Sequence, residues 1–288
     1  MKESQVQVTV VTDSVACLTR ELIDRYAIEI VPINFLYNGR VYRDWLDITP
    51  SQAYELFLKD PESLRTSAAS PEECLRAYRE AARRANNIVC VTVSARLSAV
   101  FSAARDAREQ LAREMPEVNI EVLDSQTATA AEGFVVLAAA RAAQEGKGIA
   151  GVLEAADLVR SRVNCIVLLD TIKHVYRSGR IPKVAAQVGS ILNIRPILTV
   201  AGSVRFIGAV RNRAAGLDRI IQMMREKTGD RPVHVSVMHA YAPEVAAKLM
   251  QRVGAEFNCV ELWLSEFSPV MGYACGTGTV GLAFYADQ

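Results

Sequence analysis

One stretch, residues 88–111 (IVCVTVSARLSAVFSAARDAREQL), constrains the fold more than any other. It opens on a β-branched apolar run, 88–93. Ser94, Ser98 and Ser102 follow at four-residue spacing, and Val100, Ala103, Ala104, Ala107 and Leu111 recur at helical intervals. The pattern predicts strand, serine-bearing turn, helix. In an open parallel sheet such a turn falls at the carboxyl ends of the strands, where ligands bind. The free N–H groups and dipole of the following helix favour an anion there. A plain helix cap at Ser98 is the alternative reading of the same residues.

The same grammar runs through the first half. Strands are predicted at 6–11, 28–33 and 120–123, and helices at 18–26, 128–144 and 149–160. Asn38-Gly39 marks a hairpin. Thr49-Pro50 opens a helix, and Ser70-Pro71-Glu72-Glu73 opens another with a capping box; Thr66-Ser67-Ala68-Ala69 between them reads as a small-residue loop. Alternating strand and helix predict an α/β unit with a mostly parallel sheet. The second half differs. A strand at 165–169 leads to helical pieces at 171–177 and 181–192 around Ser178-Gly179-Arg180. A hairpin over 197–207, a helix over 214–227, a strand at 234–238, a helix over 243–257 and a strand at 260–264 come next. The chain ends in a glycine-rich loop from Ser268 and a final strand. Hairpins among helices predict a mixed or antiparallel sheet. The expected domains are 1–160 and 161–288.

Function classes narrow quickly. The net charge of +1 gives no basic excess for nucleic acid. No apolar run reaches about 18 residues, so no membrane span is expected. The amino-terminal residues lack signal-peptide features, which makes the expected location cytoplasmic. The six cysteines form no Cys-x-x-Cys pair, and the three histidines form no His-Glu-x-x-His, so no metal site is expected. The run from Gly276 to Gly281 matches Gly-x-Gly-x-x-Gly. With only seven residues after it, and those strand-like, it cannot lead into the helix a dinucleotide needs.

Hydroxyl residues cluster at predicted strand ends or in adjacent loops: Thr12, Ser14, Thr66, Ser67, Ser94, Ser98, Ser125 and Thr127. Neutral hydroxyls with backbone N–H groups suit a carboxylate or phosphate; each is also an ordinary cap or turn residue. A serine nucleophile needs an oriented base. There is no Gly-x-Ser-x-Gly elbow, and His174, His234 and His239 have no local partner in sequence. Asp13, Asp44, Asp47, Asp124 and Asp170 show no paired spacing that assigns acid and base. No catalytic set is assigned. Arg180 at a helix start, and Arg195, Arg211 and Arg213 around the hairpin, suit an anion or a face that docks an acidic partner.

Taken together, the tracts resemble the DegV family, the fatty-acid-binding proteins that include the FakB subunit of bacterial fatty acid kinase. The resemblance covers essentially the whole chain. It rests on Val11-Thr12-Asp13-Ser14, Arg65-Thr66-Ser67 before Ser70-Pro71, Ser94-Ala95-Arg96-Leu97-Ser98 and Leu123-Asp124-Ser125. Ser178-Gly179-Arg180-Ile181 followed by Leu192-Asn193-Ile194-Arg195-Pro196-Ile197-Leu198, and the tail over 269–284, complete it. It implies two α/β domains, a parallel-sheet first and a mixed-sheet second, with a long-chain fatty acid between them. The carboxylate would be bound by Thr66 and Ser98, with Ser67 and Ser94 nearby, and Arg180 would lie near the head group or the kinase-docking face. It further implies a non-catalytic carrier without cofactor. A separate ATP-dependent kinase subunit would phosphorylate the bound carboxylate to an acyl phosphate for phospholipid synthesis.

The sequence departs from the family pattern in places. Ser98 is followed by Ala99-Val100 where Gly-Thr is frequent, Ala69 and Ser178 replace a proline and a glycine, and Ala274 stands where a histidine associated with the head group is frequent. The last departure bears on kinase coupling. A serine-dependent esterase or thioesterase, and a lipid or small-anion sensor without a kinase, remain the alternatives. Burying about 14 methylenes at ~0.8 kcal/mol each would contribute on the order of 11 kcal/mol before binding costs. The tail would supply affinity and the hydroxyls orientation.

Overall fold

A computed structural model describes residues 7–171, 174 and 194–287. Arg180 and most of the two helical pieces expected at 171–192 lie outside the described residues. The first sheet is parallel, with strand order β2-β1-β6-β7. Its strands are β1 (Val8–Asp13), β2 (Glu29–Val31), β6 (Asn87–Thr92) and β7 (Asn119–Asp124). The near-continuous apolar runs of β1 and β6 suit strands covered on both faces. The helices α1 (Arg20–Tyr26), α3 (Pro71–Ala82), α4 (Val100–Glu114) and α5 (Ala130–Gln144) cover this sheet. Ser70 caps α3 through a capping box, and Thr49 does the same for α2 (Pro50–Lys59).

The first half also holds a second, antiparallel sheet, β4-β3-β5, made of β3 (Asn34–Tyr37), β4 (Arg40–Arg43) and β5 (Leu64–Ser67). Asn38-Gly39 turns between β3 and β4 with positive φ at both residues, as expected. The loop expected at Thr66-Ser67 is instead the end of β5, with Thr66 opposite Phe35 and Ser67 opposite Asn34. Cross-strand pairing and the burial of Leu64 override the loop-like composition.

After α6 (Ile149–Arg160), the second half forms a six-stranded sheet of order β10-β9-β8-β13-β11-β12. The strands are β8 (Asn164–Leu168), β9 (Arg195–Ala201), β10 (Ser203–Val210), β11 (Val233–His239), β12 (Cys259–Glu266) and β13 (Val280–Ala286). Among the described residues, only the β11–β12 pair of this sheet is parallel. The helices α7 (Arg213–Thr228) and α8 (Pro243–Glu256) pack on one core beneath it. The expected glycine-rich tail loop contains a helix, α9 (Pro269–Cys275), with Pro269 in its first turn. The Gly-x-Gly-x-x-Gly run leads into β13 and not a helix, and Gly276 and Gly278 hold φ near +85° and +84°.

Helix α5 joins the halves. It is apolar on almost every side, as a helix packed on both faces must be. It packs on β1 and β6 and also on β8, β11 and β13. Phe134 meets Trp263 and Tyr285 edge-on at 5.5 and 5.3 Å. One apolar core therefore runs from the parallel sheet through α5 to Val167, Leu198 and Ala283. No helix among the described residues is long and apolar enough to cross a membrane.

Candidate functional site

An apolar cleft opens between the two halves, with about 910 Å³ of empty space including its mouth. That volume is within the range of small-molecule sites. Val15, Ile33, Val93 and Leu97 line it from the first half, and Val167, Leu198, Val200 and Val204 from the second sheet. α9 adds Val270, Met271, Tyr273, Ala274 and Cys275. The hydroxyl-bearing residues are few: Thr66, Ser67, Ser98 and Thr129, with Tyr273 from α9.

The opening stretch of the sequence supplies Val93, Leu97 and Ser98 to the cleft. β6 delivers the chain into the 94–99 turn, and α4 begins just beyond it. Ser98 Oγ accepts the Val100 N–H at 3.4 Å, so the hydroxyl proton is left for an acceptor in the cleft. The N-cap position itself is Ala99, which has no side-chain cap. The plain helix-cap reading of Ser98 is corrected: it lies one residue before the N-cap, and it lines the cleft. Thr66 arrives from β5 half-buried, with no hydrogen bond from its side chain to a described residue. Ser67 is more exposed and donates to the Ala68 carbonyl at 3.1 Å. Thr66 and Ser98 both line the cleft, and α4 starts just after Ser98.

Other predicted hydroxyls are used elsewhere. Ser94 is fully buried; its Oγ donates to the Gly202 carbonyl at 2.6 Å and fastens the β9–β10 hairpin to the first half. It lines a second, polar cleft with Arg96, Asp124 and Arg160, not the apolar one. There Arg160 is committed to the Asp124 carbonyl and the Asp157 carboxylate, and Ser161 to the Leu158 carbonyl. Thr12 donates to Glu132, Ser14 accepts the Ile33 N–H, and Ser125 donates to the Thr127 carbonyl. Thr129 is the site residue that sequence reasoning missed. It precedes α5 at φ +62°, a conformation imposed by packing and invisible in the sequence. Its Oγ1 donates to the Ala128 carbonyl and lies 3.5 Å from the Cys165 sulfur.

Ala274 presents only a methyl to the cleft. His174 lies near it in the fold: its ring is 5.7 Å from that of Phe57, and a Cβ on Gly276 would come within 2.2 Å of it. The Ser94 and Ser98 hydroxyls bond backbone groups, not a histidine. His234 is held by Glu261 and Asp287, and His239 accepts the Ala242 N–H. Burial pushes the Cys275 thiol up to about 12, which leaves it unreactive in the cleft wall. Among the described residues no cluster of histidine, cysteine or acidic side chains could hold a metal.

Gly272 fixes how closely α9 can approach. A Cβ there would fall 2.0–2.4 Å from the ring and hydroxyl of Tyr54, which is itself buried and donates to the Phe267 carbonyl at 2.9 Å. Tyr54 has nowhere to move. Gly272→Ala is expected to lower stability by about 2–3 kcal/mol in urea unfolding, despite alanine's better helix propensity. An unchanged midpoint would show that α9 is free to shift.

Fold and cleft together define a class: a two-domain α/β protein in which a parallel-sheet half and a mixed-sheet half enclose an apolar cavity with a few hydroxyls on its wall. The chain belongs to the DegV family, whose model, described as an uncharacterised protein family, matches residues 7–287. A DegV domain-containing protein of Clostridium perfringens is 31% identical over 287 residues, covering 98% of this chain and 99% of that one. Protein DegV of Bacillus subtilis is 26% identical over 280 residues, covering 96% and 98%. Among solved structures, a Thermus thermophilus DegV family protein described for its fatty acid binding matches with a TM-score of 0.88 at 28% identity. The match covers 98% of this chain and 100% of that one.

Proposed function

We propose that this protein binds a long-chain fatty acid, with the tail in the apolar cleft and the carboxylate on Thr66 and Ser98. The observation that carries the reading is the cleft itself, apolar in most of its lining with the hydroxyls of Thr66 and Ser98 on its wall. A buried carboxylate needs such donors, and a tail needs such walls. The Thermus thermophilus relative, described for fatty acid binding, supports the ligand class. In this reading residues 1–160 form the domain that supplies the head-group hydroxyls, and 161–288 the domain that closes the cleft. Ser67 lies beside the head group, and Ser94 acts from behind by holding the hairpin. Arg180, outside the described residues, is assigned to the head group or a partner-docking face by the family resemblance alone.

On this reading the protein is a cytoplasmic carrier and not an enzyme; among the described residues the Ser94 and Ser98 hydroxyls bond backbone groups. A separate ATP-dependent kinase subunit phosphorylates the presented carboxylate, and the acyl phosphate feeds phospholipid synthesis. With Ala274 in α9, that position contributes no imidazole to the phosphoryl transfer.

Protein purified from cells is expected to release a fatty acid on denaturation, detected by mass spectrometry, and to take up fatty acid again after delipidation. It should also take no fluorophosphonate label at Ser94 or Ser98. Failure to hold lipid in either state would end the carrier reading, and labelling would favour the esterase. Formation of acyl phosphate with a kinase subunit and ATP separates the kinase-coupled carrier from a lipid sensor.

A further inference from the structure

The second cleft, polar where the first is apolar, lies at the carboxyl ends of β6 and β7 and holds about 940 Å³ of empty space including its mouth. That edge of an open parallel sheet is where ligands bind. The turns that frame it are bonded to one another. The Gly202 tip of the β9–β10 hairpin is fastened twice: the Ser94 hydroxyl donates to its carbonyl at 2.6 Å, and its own N–H donates to the Gln126 carbonyl. The Ser94 N–H donates to the Thr127 carbonyl at 2.8 Å. Asp124 Oδ1 accepts the Gln126 N–H at 2.8 Å and the Ala95 N–H at 3.3 Å.

Four side-chain groups of this frame are left over. Thr127 lines the cleft and is 4% exposed, yet its Oγ1 has no hydrogen-bond partner among the described residues. A buried polar atom in that state calls for a partner from outside the chain. Arg96 lies against the hairpin tip, with Nη1 4.0 Å from where a Cβ on Gly202 would stand, and its guanidinium bonds no described residue. The Gln126 amide and Asp124 Oδ2 are likewise unengaged among the described residues. Arg160, the other cation of the lining, is already held by Asp157 and the Asp124 carbonyl.

The leftover set is mixed, and the mixture selects a ligand. Arg96 offers forked donors that suit a phosphate or carboxylate. Asp124 repels a second negative charge and accepts from a hydroxyl, while Thr127 and Gln126 both donate and accept. We infer that this cleft is a second binding site, for a small anion that also carries hydroxyl groups, of sugar-phosphate or sugar-acid type. Its anionic group sits on Arg96, and its hydroxyls on Asp124, Thr127 and Gln126. The site does not depend on the fatty acid reading.

The test titrates ribose 5-phosphate and gluconate calorimetrically into the whole chain at about 0.15 M salt, with ribose and inorganic phosphate as controls. At least one hydroxylated anion is expected to bind with a Kd below about 1 mM, and both controls at least about tenfold more weakly. The arm that binds tells phosphate from carboxylate. Arg96 is exposed and makes no side-chain bond, so Arg96→Gln should fold normally and weaken that probe at least about tenfold. Thr127→Val should weaken it about threefold or more while leaving the urea midpoint unchanged or raised, because an unpartnered buried hydroxyl contributes nothing to folding. A merely structural Thr127 would show the reverse, a lower midpoint with binding intact. That result would overturn the assignment, as would no binding of either anion, equal binding by Arg96→Gln, a control that binds as well as the probe, or displacement of the probe by palmitate.

Discussion

Thr66→Ala/Ser98→Ala is expected to bind palmitate about a hundredfold more weakly than the wild type, while methyl palmitate changes by less than about threefold. Hydrogen bonds to a charged group are worth about 1.5–3 kcal/mol each, and the double variant removes two hydroxyl donors from the cleft wall. The methyl ester carries no charge, so it gains little from those donors and keeps the whole tail contribution. Isothermal titration of delipidated protein with each ligand gives the comparison. Equal losses for acid and ester would mean that the hydroxyls shape the cleft and do not hold a carboxylate. Ser94→Ala should behave differently from both. Its hydroxyl is tied to the Gly202 carbonyl, so the variant should weaken acid and ester alike by loosening the hairpin that carries Val200 and Val204.

The largest stability effect should come from Phe134→Ala, about 3–5 kcal/mol in urea unfolding. Phe134 is fully buried in α5 and touches Trp263 and Tyr285, aromatic residues of the second sheet. Because the apolar core is continuous across α5, both halves should lose stability in one transition. Far-ultraviolet circular dichroism and the fluorescence of Trp45 and Trp263, one in each half, should report the same midpoint. Two separated transitions, or a loss below about 1 kcal/mol, would show that the halves are stable units held only by surface contact.

Much of this architecture was legible in the residues. The helix starts at Thr49-Pro50 and Ser70-Pro71, the Asn38-Gly39 hairpin, the β6-turn-α4 unit and the 149–160 helix all follow from short-range rules, and the structure has each of them. Local rules failed where pairing partners lie far along the chain. Thr66 and Ser67 look like loop residues until β3 pairs with them, and the tail from Ser268 looks like a loop until Tyr54 packs against Gly272 and α9 forms. The site shows the same division. Ser98 was readable as a turn hydroxyl at a helix start, but Thr129 was not, since nothing in its neighbours announces a positive φ.

By itself the sequence determined the alternation of strand and helix, the caps that start the helices, the change from parallel to mixed sheet and the supply of hydroxyls at strand ends. Those are properties of residues within one or two turns of each other. Only the tertiary structure decided which hydroxyls face the cleft. Ser94 and Ser98 sit four residues apart in one turn, yet Ser94 is spent on a carbonyl 108 residues away while Ser98 keeps its proton for the cavity. A hydroxyl has a single proton to donate, and its direction is set by whichever acceptor the fold brings within reach.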